Sequence, residues 1–285
     1  MANRVPRFLR YSIAAALPAL GLLIGGLGSP AGASTQASAS AQAAALAKAA
    51  ITQLTIGQHG TDHRVSSPRE LKGLTSVEST NWSGYADTGS SFSKVTGSWS
   101  EPSASCSSRT TSLAAFWVGI DGYSSDSVEQ DGTLIECYRG TAYQYSWWEM
   151  YPTNDIQVVG ESLAAGDSIT ASVVRSGTSY TLAVTDSTHS ANSFSTTQTC
   201  SGCANSSAEW IAEAPSSSSG VEPLAHFSTW NDSGSTVTEG STSGVISSFT
   251  DDEITMIDNS GAVKAQPGAL NGGGNGFSVT WERAS

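Results

Sequence analysis

Ser207-Ala208-Glu209-Trp210-Ile211-Ala212-Glu213 sets single acids among apolar residues. Side chains alternate faces along a strand, so Ala208, Trp210 and Ala212 share one side while Glu209, Ile211 and Glu213 share the other. The first set predicts a core-facing surface. The second predicts a carboxylate on the open face of a rigid sheet, beside large aromatics, where it is placed to act as a general base. On this strand alone, a solvated glutamate is the plainer reading.

The same texture recurs through the chain. Strands are predicted over Lys94–Trp99, Leu113–Ile120, Thr141–Tyr151, Ile156–Val159, Ser168–Val174, Ser179–Thr185, Ser207–Ala214, Ile246–Phe249, Glu253–Ile257 and Gly276–Trp281. Ile169, Ala171 and Val173 alternate with polar residues, as do Tyr180, Leu182 and Val184, so Arg175-Ser176-Gly177-Thr178 reads as a hairpin turn. No helical period appears after about residue 80, and Gly/Ser turns separate the strands. The expected fold is therefore all-β, an antiparallel sandwich in one domain of about 205 residues.

The N-terminus reads as an export signal. Arg4, Arg7 and Arg10 precede an apolar stretch from Ile13 to Leu27, and Ala31-Gly32-Ala33 fits a small-residue cleavage site. The stretch falls short of the roughly 20 apolar residues of a membrane span. Residues 1–33 are thus expected to be a signal peptide, 34–75 a propeptide and 76–285 the β domain, with the protein secreted and off the membrane after signal removal. Residues 34–75 offer little to bury, so a linker is the competing reading.

Charge divides along the same boundary. From Ser76 onward there are six Lys and Arg against 23 Asp and Glu, whereas residues 34–75 carry a net +2. A weakly basic leader precedes an acidic body, and that body lacks the basic surface nucleic acid requires. Four cysteines in an exported chain favour disulfides, and adjacency suggests Cys106 with Cys137 and Cys200 with Cys203. The Cys200-x-x-Cys203 pair has no second CxxC or His pair to complete a zinc site.

Tyr143, Tyr145, Trp147, Glu149 and Tyr151 share one face of the densest aromatic strand, which reads as a substrate groove or an aromatic core. Asp121 ends an apolar strand and by itself is a turn aspartate. Gln130 can supply what a carboxylate cannot, an N–H that stabilises an oxyanion without ionising. Other hydrolase patterns are weak: Gly-x-Ser-x-Gly and His-Glu-x-x-His do not occur, and Asp232-Ser233-Gly234 reads as a turn.

Ala115-Phe116-Trp117-Val118-Gly119-Ile120-Asp121-Gly122, Gln130, Trp147-Trp148-Glu149-Met150-Tyr151-Pro152 and Ala208-Glu209-Trp210-Ile211-Ala212-Glu213 together resemble the glutamic peptidases, or eqolisins, in order and spacing. The resemblance runs from about Asn81 to Trp281. It implies a pepstatin-insensitive, acid-acting endopeptidase on a concanavalin-like sandwich, made with a signal and a propeptide, acting on polypeptides without cofactor or metal and expected as a monomer. The catalytic pair would be Glu209 and Gln130, with Trp117, Asp121, Trp147, Glu149 and Tyr151 lining or supporting the cleft. Two alternatives remain at this point. In a retaining glycosidase on the same fold, Glu149 and Glu209 would lie about 5 Å apart. In a carbohydrate-binding module, the tryptophans would be exposed without a buried acid.

Overall fold

The computed structural model describes residues 31–51, 75–160 and 162–285. The compact unit Ala41–Ser285 contains the whole β domain. The expectations for residues 1–30 and most of 52–75 lie outside the described residues. A helix spans Ala31–Ile51.

The functional layer is made of seven strands. They are β1 (Trp82–Thr88), β2 (Ser112–Asp121), β3 (Val128–Tyr138), β4 (Thr141–Tyr151), β5 (Asn154–Gly160), β6 (Ser207–Glu213) and β7 (Asp251–Ile257). Their order across the layer is β7-β1-β6-β2-β3-β4-β5, and every neighbouring pair is antiparallel. A second layer carries Phe92–Ser100, Ser168–Ser176, Ser179–Asp186, Phe194–Thr199 and Trp230–Glu239. Val263–Pro267 and Gly276–Trp281 join the two, so a single hydrogen-bonded ladder folds over on itself. One pair breaks the antiparallel rule, since Thr75–Ser79 runs parallel to β7.

Alternation sorts the apolar residues into two cores. Ala208, Trp210, Phe116, Val118, Val173 and Leu182 belong to the core between the layers. Ile211, Trp117, Trp147, Tyr145, Trp82 and Leu134 form the other, on the outer face of the functional layer. Ile51, at the end of the helix, is fully buried in this second cluster.

Two expectations are corrected. Ile246–Ser248 is a 3-10 turn rather than a strand, with Phe249 N–H donating to the Ile246 carbonyl. The Glu209 face of β6 is also not open. All seven residues of β6 are buried, because the side expected to meet solvent is covered by the second cluster.

Cys106 is joined to Cys137 and Cys200 to Cys203. Among the described residues, no helix is long and apolar enough to cross a membrane.

Candidate active site

Register brings the candidate residues into one row. Glu209 on β6 pairs with Gly119 on β2, Gly119 with Gln130 on β3, and Gln130 with Glu149 on β4. Directly paired residues in antiparallel strands project to the same face, so Glu209, Gln130 and Glu149 share the face of the second cluster. Gly119 separates Glu209 from Gln130 and carries no side chain. Their backbones are therefore two strand spacings apart, about 10 Å, with only a glycine between. A Cβ on Gly119 would lie 2.8 Å from the Trp117 ring, which leans across this gap.

Glu209 is fully buried, and neither carboxylate oxygen has a hydrogen-bond partner. Burial drives its pKa well above the usual carboxylate range, and Asp121, Glu129 and Asp87 add to the rise by charge repulsion. Ser207, two residues away on the same face, favours the ionised form but lies outside hydrogen-bonding geometry.

Gln130 is oriented by its neighbour. Its Nε2 donates to Glu149 Oε2 at 2.9 Å, and both residues are buried. This bond fixes the plane of the amide.

The supporting residues divide between lining and holding. Trp117 Nε1 donates to Glu213 Oε2 at 2.9 Å, and the Trp117 ring meets Trp82 edge-on with centroids 4.9 Å apart. Trp147 is fully buried in the same cluster, and Tyr151 packs against it from the end of β4, before a cis bond to Pro152. Asp121 holds rather than lines. Its backbone is left-handed, φ 68°, and its carboxylate accepts from the N–H groups of Asn205 at 2.7 Å and Ser206 at 2.8 Å, clamping the chain as it enters β6. Four residues without an assigned part in the sequence-based site belong to this arrangement. Glu213 anchors Trp117 and accepts from Asn81 Nδ2 at 3.3 Å, and Tyr123 donates to Asp252 Oδ2 at 2.6 Å. Asp252 lies in the same row, paired with Ala86, the other neighbour of Glu209. The even spacing of Glu209 and Glu213 was the signal for Glu213. Nothing local in the sequence signalled the Tyr123–Asp252 contact.

Two other groups bring three potential metal ligands together among the described residues. In one, Glu129 meets Cys200 and Cys203, whose sulfurs are committed to the disulfide. Glu129 Oε1 lies 2.8 Å from Cys203 Sγ. A disulfide sulfur carries no proton, so the carboxyl is the donor, in keeping with a Glu129 pKa raised to about 9, chiefly by burial. In the other, Asp167 and Asp186 meet His189. Their carboxylates are engaged by His189 Nδ1 and Ala164 N–H, and by Thr188 N–H, His189 N–H and Asn192 Nδ2.

The glycosidase arrangement does not match the register. Glu149 and Glu209 lie three strand spacings apart, about 14 Å at the backbone, with Gln130 and Gly119 between them.

The sequence profile of the Peptidase A4 family matches residues 80–276, which contain the entire row. The chain belongs to the Peptidase A4 family. Within it, the chain is 28% identical to aspergillopepsin-2 of Aspergillus niger over 183 residues, 55% of this chain and 64% of that protein. It is 31% identical to scytalidopepsin B of Scytalidium lignicola over 155 residues, 53% and 57% of the two. The match thus spans less than two thirds of the length of these relatives. Among solved structures, scytalido-glutamic peptidase with a transition-state-analogue inhibitor superposes with a TM-score of 0.60 at 25% identity, covering 71% of this chain and 98% of the other. The Peptidase A4 assignment covers Trp117, Asp121, Gln130, Trp147, Glu149, Tyr151 and Glu209 alike.

Proposed function

We propose that this chain is a secreted endopeptidase that hydrolyses polypeptides in acid, with Glu209 as general base and Gln130 as oxyanion stabiliser. The observation that carries the reading is the in-register row Glu209–Gly119–Gln130. An acid and a neutral amide face one side of a rigid sheet, with only a glycine between them to leave room for a carbonyl and a water. Family membership supports the reaction class, and the likeness to scytalido-glutamic peptidase supports the peptide substrate.

Ionised Glu209 takes a proton from the attacking water, and the amide N–H of Gln130 meets the oxygen as negative charge develops on it. Protonated Glu209 then returns the proton to the leaving amine. A carboxylate suits acid because it remains a base at a pH where an imidazole is already protonated. The mechanism uses no metal, and it differs from the paired-aspartate arrangement that pepstatin recognises.

The state of Glu209 described here is a resting one. Buried and with its pKa held high, it is protonated in acid and cannot accept a proton. Catalysis requires its face to meet water, which would return the carboxyl toward its ordinary range. Removing a leader that ends beyond Ile51 would uncover part of that face, because Ile51 is buried in the second cluster. We therefore assign residues 1–33 as signal, 34–75 as propeptide and 76–285 as the catalytic domain.

Digestion of a denatured protein at pH 3.5, with and without pepstatin, tests this reading. Glu209→Gln and Gln130→Ala should each abolish cleavage while leaving the secreted, folded protein intact, and the parent should cleave equally well with pepstatin present. A variant that digests like the parent would overturn the assignment.

A further inference from the structure

Six residues along β3 from Gln130, on the same face, Glu136 is 1% exposed and neither of its carboxylate oxygens has a hydrogen-bond partner. It sits between Leu113 on β2 and Tyr143 on β4, over the outer cluster. Burial alone lifts it to about 7. A buried, unpartnered carboxyl is costly unless something else pairs with it. Glu136 borders a cavity of about 330 Å³, shared with Glu222, Thr111, Leu113 and the Ser217–Ser219 turn and closed on one side by Ala50 of the leader, whose removal would open it.

We propose that Glu136 and Glu222 form a subsite, on the same face of the sheet as Gln130, that takes a cationic side chain of the polypeptide, a lysine or an arginine. The lining matches that chemistry. The aliphatic stem would lie on Leu113, the charged head would meet Glu136, and the serine hydroxyls and Glu222 would form a polar rim. A bound metal fits less well, because Glu136 and Glu222 are not part of any converging group of three potential ligands. The carboxyl serves in either protonation state. Neutral, its carbonyl oxygen accepts a hydrogen bond from the cation, and the cation in turn favours its ionisation.

The spacing sets which substrate residue reaches the subsite. Six residues of strand span about 20 Å, so an extended substrate would present a side chain roughly six positions from the cleaved bond. That makes the subsite a reader of sequence well outside the bond itself. This inference rests on the peptidase reading for its substrate, but binding tests it separately from cleavage.

Fluorescein-labelled 16-residue peptides with a fixed central sequence, carrying one lysine or one methionine walked along positions three to eight on either side, would be titrated against the purified Glu209→Gln protein by anisotropy. One position should bind about tenfold tighter with lysine than with methionine. Glu136→Gln should bring that ratio to within twofold, and Glu222→Gln should reduce it by about threefold, both with unchanged circular dichroism. A lysine advantage at no position, or one that survives Glu136→Gln, would overturn the subsite. If the parent cleaves none of these peptides at pH 3.5 although the lysine preference is present, the peptidase reading fails and the cation site stands.

Discussion

Gln130 and Glu149 face each other across adjacent strands, with the amide nitrogen 2.9 Å from the carboxylate, and that contact sets the direction in which the amide presents its N–H groups. Under the proposed mechanism, Glu149 acts on the reaction through Gln130. Glu149→Gln should let the amide rotate and lower kcat by about 10- to 100-fold, with KM changed less than threefold. This is smaller than the roughly 10²–10³ loss for removing an oxyanion donor outright. Steady-state kinetics on one peptide would show it, and a loss confined to KM would count against the positioning role.

Gly119 gives a sharper case. A methyl group there would lie 2.8 Å from the Trp117 ring and would stand between Glu209 and Gln130. Gly119→Ala should cost at least 100-fold in kcat/KM while the protein still folds and keeps its circular dichroism. Retention of more than a tenth of parental activity would mean that the gap between the two residues is not where the substrate carbonyl goes.

The Trp117–Glu213 bond separates packing from polarity. Trp117→Phe keeps a ring in the cluster but removes a donor from a buried carboxylate, and should destabilise by about 1–3 kcal/mol. Glu213→Gln keeps an acceptor and should cost less. Urea denaturation of both variants would check the order, and the reverse order would show that the hydrogen bond contributes little.

Stability should be greatest near pH 4 and fall toward pH 9. Burial raises Asp87 and Glu129 to about 9, Glu101 to about 8 and Glu136 to about 7 in the folded chain. Unfolded carboxyls ionise near about 4. Above that pH the unfolded chain binds fewer protons than the folded one, so unfolding becomes easier as pH rises, until the folded groups ionise as well. Asp186 and Asp258 run the other way, with pKa values lowered by hydrogen bonds, and their contribution is lost as pH falls below about 4. Urea midpoints measured from pH 3 to 9 should trace this curve, and a midpoint higher at pH 8 than at pH 4 would contradict it.

What the sequence revealed depended on contrast between neighbouring residues. Thr141–Tyr151 and Gly276–Trp281 have the bounds that their patterning predicts, and the hairpin at Arg175–Thr178 was plain because polar and apolar residues alternate on both sides of it. Val128–Tyr138, which carries Gln130, is a strand that its sequence does not mark. It is buried on both faces while including Glu129, Asp131 and Glu136, so neither alternation nor an apolar run marks it. Trp230–Glu239 carries no strand signal because its Ser, Thr and Gly residues resemble a loop. At the site, parity placed Glu209 on the correct face but could not indicate that the face is covered. The packing that buries this side of the sheet, with Ile51 of the distant helix joining the second cluster, leaves no local trace.

The pairing of Glu209 and Gln130 through Gly119 leaves little tolerance for sliding. A strand has only two faces, so moving β2 by one residue against either neighbour would replace Gly119 in the row with Val118 or Ile120, both directed into the core between the layers. Added or deleted residues in the Gly122–Ser127 connection can be absorbed as slack. A one-residue insertion within Ser112–Asp121 has no such outlet: it would force a bulge or turn part of β2 over, and would plug the space between acid and amide with a side chain in place of Gly119.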